Sequence, residues 1–176
     1  MPDGSNVIEL LIVYLKTGLA SEYIFNEIKE GTTVTLRGPQ GIFVLPDNLD
    51  KDLFMICTGT GIAPFRSMLQ YISHHNVPHQ QIHLLFGTRT QQDLLYRDEM
   101  TALQETLPGF NYHTSLSREE WAGNKGYIHP IYEKLCAEKQ PAIFMLCGWR
   151  AMIDEAKERI EKMGYDRKAI HSELYG

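Results

Sequence analysis

The chain has 176 residues, which is enough for one complete domain or for one domain and part of a second. Hydrophobic residues make up 43% and charged residues 22% of it, a composition that indicates a globular protein and excludes a disordered or fibrous one. The formal net charge is −5, so the surface lacks the positive field with which proteins bind nucleic acid or anionic lipid nonspecifically.

Three features of the sequence bear on its location in the cell. No apolar run approaches the ~18 residues of a membrane span, because Glu9 interrupts the longest candidate, residues 7–15. The opening residues Met-Pro-Asp-Gly-Ser lack the basic and apolar regions of a secretion signal. The cysteines Cys57, Cys136 and Cys147 have spacings that fit neither a disulfide framework nor a zinc or iron–sulfur site. We therefore predict a cytoplasmic protein with reduced thiols.

The first 48 residues predict a strand, a helix and a second strand. β-Branched and apolar side chains dominate residues 7–15, a helical stretch covers 21–30, and residues 33–37 alternate apolar and polar side chains. A Gly-Pro-Gln-Gly turn follows at 38–41. So short a piece cannot close a hydrophobic core of its own.

From residue 49 onwards, short apolar runs alternate with helical segments. The runs predict strands at 53–57, 82–86, 111–116, 142–147 and 169–175. The segments between them predict helices at 63–75, 96–107, 129–138 and 151–163. This alternation predicts the α/β class, a doubly wound parallel sheet of five strands covered by helices on both faces. The chain is thereby divided into residues 1–48 and 49–176.

A glycine-rich turn, formed by Thr58, Gly59, Thr60 and Gly61, lies between the first strand of this sheet and its helix. Ligands of parallel sheets bind beyond the carboxyl ends of the strands, and glycines let the backbone approach a diphosphate at the positive start of a helix. The alternative is a tight turn that uses glycine only because it needs positive φ. The turn matches neither the G-x-G-x-x-G fingerprint nor a P-loop, so both interpretations stay open.

Five segments resemble motifs of the ferredoxin–NADP reductase family, whose members pair a flavin-binding β-barrel with a nicotinamide-nucleotide domain. They are Gly-Leu-Ala-Ser at 18–21, Gly-Pro-Gln-Gly at 38–41, Thr-Gly-Thr-Gly-Ile-Ala-Pro-Phe-Arg at 58–66, Cys-Gly at 147–148 and Ser-Glu-Leu-Tyr at 172–175. Their order and spacing agree with the family's over nearly the whole chain. The resemblance implies that residues 1–48 are part of an FAD-binding β-barrel and that residues 49–176 are the NAD(P)-binding domain.

The resemblance also implies two groups of cofactor-binding residues. The first group receives the pyrophosphate of FAD at a helix start and consists of Gly18, Ala20 and Ser21. The second group binds the nicotinamide nucleotide at the glycine turn and at the end of the fourth strand, and consists of Thr58, Gly59, Thr60, Gly61, Pro64 and Gly148.

A polar stretch after the third strand predicts a preference for NADP over NAD. Ser117, Arg118 and Lys125 supply the hydroxyl, guanidinium and ammonium groups that suit a 2′-phosphate, and they resemble the segment that NADP-specific members use. Tyr127 is a candidate to stack on adenine, and Arg89 is a further candidate for the phosphate. The alternative is that these are ordinary solvated charges flanked by glutamates.

Three residues are implied to lie beside the reacting rings. Cys147 is assigned a positioning role, because in hydride transfer the cofactors perform the chemistry. The resemblance implies that Glu173 takes part in proton supply or acceptor docking and that Tyr175 stacks on the isoalloxazine, although Gly176 follows it here. Taken alone, Cys147 would be a small buried apolar residue and Glu173 an exposed residue on an edge strand. No metal site is predicted, since the histidine cluster at 74–79 has no acidic partner at ligand spacing.

The sequence thus predicts a flavin-dependent oxidoreductase that transfers a hydride from NADPH to FAD and passes electrons singly to an iron–sulfur or flavodoxin-like acceptor. Two alternatives are a nucleotide-binding module without turnover and the reductase component of a larger oxygenase- or globin-linked system. The family's Arg-x-Tyr-Ser/Thr segment is missing upstream of Gly18, so we expect a chain truncated within its flavin domain. We expect residues 7–45 to be disordered, remodelled or stabilised by homodimer formation, because unpaired strands invite pairing with another copy.

Overall fold

The computed structural model of the protein describes residues 6–38 and 40–175. The helices in these residues are α1 (Leu19–Asn26), α2 (Ile62–His75), α3 (Arg97–Thr106), α4 (His129–Leu135) and α5 (Arg150–Lys162). The strands are β1 (Asp52–Thr58), β2 (Ile82–Thr88), β3 (Phe110–Leu116), β4 (Asn124–Lys125), β5 (Ala142–Gly148) and β6 (Ile170–Leu174). None of the described helices is long and apolar enough to cross a membrane.

The strands form a single parallel sheet in the order β4-β3-β2-β1-β5-β6. This confirms the predicted α/β class and all five predicted strands. The predicted number of strands was too small by one in the described part of the chain, because β4 adds a two-residue edge strand. Both of its residues are exposed and polar, so no apolar pattern marked it.

The core lies on both faces of the three central strands, β2, β1 and β5. Side chains alternate between the two faces, so that Met55 of β1 packs with the α2 side of the sheet while Phe54 packs with the α5 side. Each fully buried apolar side chain of this size contributes about 1.5–3 kcal/mol to folding. Burial on both faces is the reason why these strands appear in the sequence as continuous apolar runs.

The first 48 residues differ from the prediction. The strands expected at 7–15 and 33–37 do not form in the described residues, where α1 (Leu19–Asn26) is the regular element. A strand is stabilised by pairing with a neighbouring strand, and none of the strand pairings in the described residues involves these two stretches. Most of their apolar side chains are exposed, including those of Val7, Ile8, Leu10, Val13 and Leu36. Pro39 of the turn at 38–41 lies outside the described residues.

Residues 6–48 nevertheless contact the sheet domain along α2. Leu11, Phe43 and Leu45 pack against its core, and the rings of Phe43 and Phe65 are 5.8 Å apart. These apolar contacts hold the segment beside the helix that follows the glycine turn.

Polar contacts join the same two parts of the chain. The Glu9 carboxylate accepts a hydrogen bond of 2.8 Å from the Tyr96 hydroxyl and lies 3.0 Å from a guanidinium nitrogen of Arg66. Arg66 also binds Glu99 at 2.8 Å, and its guanidinium lies 4.3 Å from the centre of the Tyr96 ring. Arg66 thus anchors the N-terminal segment to α2.

Candidate functional site

The strand order reverses between β1 and β5. The connection from β1 through α2 leads to β2 on one side, whereas β5 lies on the other side of β1. Cys57 of β1 is paired with Cys147 of β5, so the carboxyl ends of the two strands meet at this point. In open parallel sheets, the crevice at such a reversal is where ligands bind.

The glycine turn is the floor of this crevice. It leaves β1 as a 3₁₀ turn at Gly59–Gly61, in which Gly59 has a φ of +54°. Gly61 passes so close to β5 that a Cβ atom there would lie 2.3 Å from the carbonyl oxygen of Cys147. Gly59 thus fits the interpretation of a turn that needs positive φ, whereas Gly61, with a φ of −61°, is required by its close approach to β5.

Helix α2 presents its N-terminus to the same crevice. Its N-cap is Gly61, no side chain caps the first turn, and no acidic residue lies in that turn. The first amide N–H groups of the helix thus have no side-chain acceptor, and the helix dipole adds partial positive charge. Pro64 lies in the first turn, where its missing N–H removes no helical hydrogen bond. Such a helix start suits a phosphate group.

The carboxyl end of β5 contacts the carboxyl end of β1 closely. Gly148 has a φ of +143°, and a Cβ atom on it would lie 2.3 Å from Oγ1 of Thr58. The backbone N–H of Trp149 donates to the same Oγ1 at 3.2 Å. The backbone N–H of Tyr175 donates to the Gly148 carbonyl at 3.0 Å. Thr58, Gly148 and the residues after β6 therefore form one unit.

Cys147 is fully buried in this unit. Burial, with a smaller effect from Glu173, raises the pKa of its thiol to about 12, so the thiol is neutral at physiological pH. Burial and the neighbouring Cys147 also raise the pKa of Cys57 well above its usual value. A neutral buried thiol is unsuited to act as a nucleophile.

The three residues predicted to lie beside the reacting rings are brought together. Glu173 of β6 is paired in register with Cys147, and Tyr175 follows two residues later. The half-buried Tyr175 packs against the core that contains Cys147, and its pKa is raised by burial and by Cys147. Sequence motifs far apart in the chain thus meet at one edge of the sheet.

The ends of β2 and β3 carry two exposed arginines. The backbone N–H of Arg118 donates to the Arg89 carbonyl at 3.0 Å, and that of Ser117 donates to the Thr88 carbonyl at 3.0 Å. The two strands thereby continue side by side beyond their last paired residues. Neither Arg89 nor Arg118 forms an ion pair with any residue that the structure describes. Two unpaired guanidinium groups therefore lie on neighbouring chains.

The other residues predicted to bind the adenosine end of the nucleotide differ from the two arginines. Lys125 forms an ion pair with Glu120, and Tyr127 is 73% exposed. Glu119 binds Gln91, accepting hydrogen bonds of 2.7 Å from its backbone N–H and from its side chain. A glutamate thus balances the lysine, while the arginines remain available to an anion.

The predicted flavin-phosphate residues lie at the start of α1, whose N-cap is Gly18 and which no side chain caps. Ser21 is buried, and its hydroxyl accepts from the Leu15 N–H at 3.1 Å and donates to the Leu15 carbonyl at 2.8 Å. A Cβ atom on Gly18 would lie 2.9 Å from that hydroxyl, whereas Ala20 is exposed. Ser21 therefore shapes the loop before the helix, and no side chain caps the first N–H groups of the helix.

Trp149 and Arg66 are site residues that the sequence patterns did not single out for a role. Trp149 directly follows Cys147 and Gly148, and a large exposed aromatic side chain beside a glycine turn was the available signal. Arg66 ends the motif at 58–66, but its partner Glu9 is 57 positions away, and nothing in the sequence links the two.

Comparison with protein families gives one match that covers more than half of the chain. Residues 55–158 match the family described as "Oxidoreductase NAD-binding domain". This range begins in β1 and ends in α5, so it contains the glycine turn, the arginines and the end of β5.

Two curated relatives are similar over 99% of this chain. Ferredoxin–NADP reductase B of Sorangium cellulosum is 32% identical over 184 residues, which span 74% of that protein. The anthranilate 1,2-dioxygenase electron transfer component of Acinetobacter baylyi is 31% identical over 177 residues, which span 51% of it. The chain is thus about half the length of the second relative.

A solved structure gives the same result. The ferredoxin NADP⁺ reductase of Neisseria gonorrhoeae, crystallised with bound FAD and NADP, superimposes with a TM-score of 0.74 at 26% identity. The superposition covers 92% of this chain and 71% of that protein.

Proposed function

Because the chain belongs to the ferredoxin–NADP reductase family through its oxidoreductase NAD-binding domain, we propose that it binds NADP and FAD and transfers a hydride from NADPH to FAD. Electrons then pass singly to an iron–sulfur or flavodoxin-like acceptor protein. The observation that carries the proposal is the contact between the glycine turn and the Cys147–Gly148 end of β5 at the reversal of the strand order.

The nicotinamide nucleotide fits the crevice between β1 and β5. The uncapped start of α2 offers N–H groups to the diphosphate, and Gly59 adds no side chain of its own to the turn. Thr58 and Gly148 then form the wall against which the nicotinamide end is placed. Cys147 lies below this wall as a neutral group, so it orients the ring without adding a charge.

The adenosine end of the nucleotide fits the carboxyl ends of the neighbouring strands β2 and β3. Arg89 and Arg118 offer two unpaired guanidinium groups, and Ser117 supplies a hydroxyl between the strands. Lys125 adds a further positive charge once its partner Glu120 is displaced by phosphate, and the exposed Tyr127 is available to stack on adenine. These groups favour NADP over NAD.

The flavin fits the remaining predicted residues. The uncapped start of α1 at Gly18 and Ala20, shaped by Ser21, suits the pyrophosphate of FAD, and Tyr175 lies where it can meet the ring. When both cofactors are bound, they supply the redox chemistry, with a hydride moving from C4 of the nicotinamide to N5 of the flavin. The pairing of Glu173 with Cys147 in register supports a role for its carboxylate in holding a proton or docking the acceptor.

The proposal extends to the setting in which the protein works. Reduced thiols at three buried cysteines fit the cytoplasm. The exposed apolar side chains of residues 7–44 favour a homodimer in which each copy covers those of the other. The similarity to a dioxygenase electron transfer component supports an oxygenase-linked reductase as a second candidate function.

Absorbance of the purified chain tests the flavin. We expect a yellow protein with a band near 450 nm that NADPH bleaches under anaerobic conditions. A colourless protein that binds NADP, even after addition of FAD, would instead identify a nucleotide-binding module without turnover. A chain that binds neither cofactor would refute the proposal altogether.

The preference for NADP is tested at Arg118. We expect Arg118→Ala to weaken binding of NADP⁺ about tenfold or more, because a guanidinium–phosphate contact is lost, while binding of NAD⁺ stays unchanged. Isothermal titration calorimetry measures both. Arg167→Ala is the matched control, since Arg167 is 84% exposed and lies before β6 at the opposite edge of the sheet. Equal affinity of the unaltered protein for NAD⁺ and NADP⁺ would contradict the role given to Ser117 and Arg118.

A further inference from the structure

Trp149 occupies the junction between β5 and α5. It directly follows Gly148, serves as the N-cap of α5, and is 59% exposed. Its backbone is held in place, because its N–H donates to Oγ1 of Thr58 and its carbonyl accepts from the N–H of Ile153 at 3.1 Å. The backbone that carries this large exposed ring is therefore held beside the end of β1, from which the glycine turn starts.

The indole nitrogen of Trp149 lies over that turn. A Cβ atom built on Gly59 would meet Nε1 of Trp149 as its nearest neighbour, at 3.8 Å. This N–H has no acceptor among the residues that the structure describes. The second tryptophan differs, since Nε1 of Trp121 donates to the Asn124 carbonyl at 2.6 Å. An indole N–H can only donate, so Trp149 presents an unused donor beside Gly59.

The surroundings of this donor select for an anion. Helices α2 and α5 both start at this edge of the sheet, from the neighbouring strands β1 and β5. No side chain caps either helix, and neither has an acidic residue in its first turn. The partial positive charges of both helix starts thus lie on the two sides of the crevice, and the indole N–H lies beside Gly59, in the turn that leads into α2.

We propose that the indole N–H of Trp149 donates a hydrogen bond to the diphosphate of the bound nicotinamide nucleotide. This rests on the nucleotide site proposed above and adds to it a specific contact from the β5 side. Trp149 is therefore a binding residue for the diphosphate and not for the adenosine 2′-phosphate, which belongs to the edge formed by β2 and β3.

Replacement of the indole tests this contact. Trp149→Phe keeps an aromatic ring and the backbone N–H but removes the donor. We expect its dissociation constant for NADP⁺, measured by calorimetry, to rise about tenfold, the loss typical of one charge-assisted hydrogen bond. Adenosine 2′-monophosphate has no diphosphate, so its affinity should be the same for both proteins. Tyr71→Phe is the control, because it removes a polar atom from an exposed aromatic residue near the far end of α2.

Each result decides one question. If the unaltered protein binds neither ligand, the proposed function fails. If it binds both and Trp149→Phe binds NADP⁺ equally well, the function stands and the role of Trp149 is overturned. The role is likewise overturned if the variant loses affinity for both ligands to the same extent, since the effect would then be a general disturbance.

Fluorescence gives a second measurement. In the variant Trp121→Phe, Trp149 is the remaining tryptophan of the two in the chain. We expect NADP⁺ to change the emission of Trp149 in this variant, and adenosine 2′-monophosphate to leave it unchanged. Unchanged emission on saturation with NADP⁺ would overturn the contact.

Discussion

At the residue scale, the site depends on how closely β1 and β5 approach each other at their carboxyl ends. Thr58 fills the space beside Gly148, and Cys147 offers its carbonyl to the space beside Gly61. Neither position has room for a Cβ atom. The identity of these glycines follows from backbone contact between two strands, independently of which ligand binds above them.

Gly148→Ala tests this contact. The new Cβ atom would overlap Oγ1 of Thr58 and would also force a φ of +143° on an alanine, so we expect a loss of about 2–4 kcal/mol in the free energy of unfolding. Urea denaturation followed by circular dichroism measures it. Gly126→Ala is the matched control, because Gly126 has a φ of +86° but no atom within 4 Å of an added Cβ, and only about 1 kcal/mol of backbone strain is expected. Equal losses in the two variants would show that the contact with Thr58 contributes nothing.

Residues of the site differ in how far the sequence could predict them. Cys147 and Gly61 belong to short motifs, so the sequence indicated them directly. The neutral state of Cys147 could not be predicted, since it results from burial among residues contributed by three strands. Trp149 owes its proposed role to the nearness of Gly59, which is 90 positions earlier in the chain.

At the element scale, the sequence predicted β1, β2, β3, β5 and β6 but missed β4, and it predicted strands at 7–15 and 33–37 that do not form in the described residues. β1, β2 and β5 are continuous apolar runs because helices cover both sides of them. Residues 7–15 have a similar apolar pattern, but a strand also needs a partner, and the pattern of one segment carries no information about its neighbours. β4 is too short to have any pattern.

The N-terminal segment is held to α2 through Glu9. Hydrogen bonds from Tyr96 and Arg66 lower the pKa of the Glu9 carboxyl, so it is ionised at pH 7, and its contacts weaken only as the pH falls through that lowered value. In Glu9→Gln the charge is absent at every pH. We therefore expect trypsin to cleave after the exposed Lys16 several-fold faster in this variant at pH 7, because the segment detaches more often.

A matched control for this experiment is Glu30→Gln. Glu30 is exposed in the same segment and makes no hydrogen bond or ion pair with the described residues. Its replacement should leave the cleavage rate unchanged. If Glu9→Gln is cleaved no faster than Glu30→Gln, the apolar contacts of Leu11, Phe43 and Leu45 alone hold the segment.

At the scale of the whole molecule, apolar surface is divided unevenly along the chain. Residues from 49 onwards enclose a core on both faces of the sheet, whereas many of the exposed large apolar side chains belong to residues 7–44. The boundary between two domains near residue 48 remains a prediction. It coincides with this change in the burial of apolar side chains. The buried part also contains all three cysteines.

Because of these cysteines, we expect the free energy of unfolding to depend on pH in the alkaline range. Burial raises the pKa of Cys136 to about 11 and that of Cys147 to about 12, and it also raises the pKa of Cys57 well above its usual value. In the unfolded chain the same thiols ionise near a pKa of ~8.5. Above that pH the unfolded chain has lost protons that the folded protein still holds, so the free energy of unfolding must fall as the pH rises.

The size of this fall follows from the number of thiols. Each one contributes about 1–2 kcal/mol between pH 8 and pH 10, so we expect a loss of about 3–6 kcal/mol, measured by urea denaturation with a reductant present. Cys136→Ala lowers the stability at both pH values by leaving a cavity, but it should reduce the fall by about a third because one of three titrating thiols is gone. Equal stability at pH 8 and pH 10, or an unreduced fall in Cys136→Ala, would contradict the burial of the thiols. Tyr112, Tyr132 and Tyr165, whose pKa values burial also raises, should steepen the fall above pH ~10.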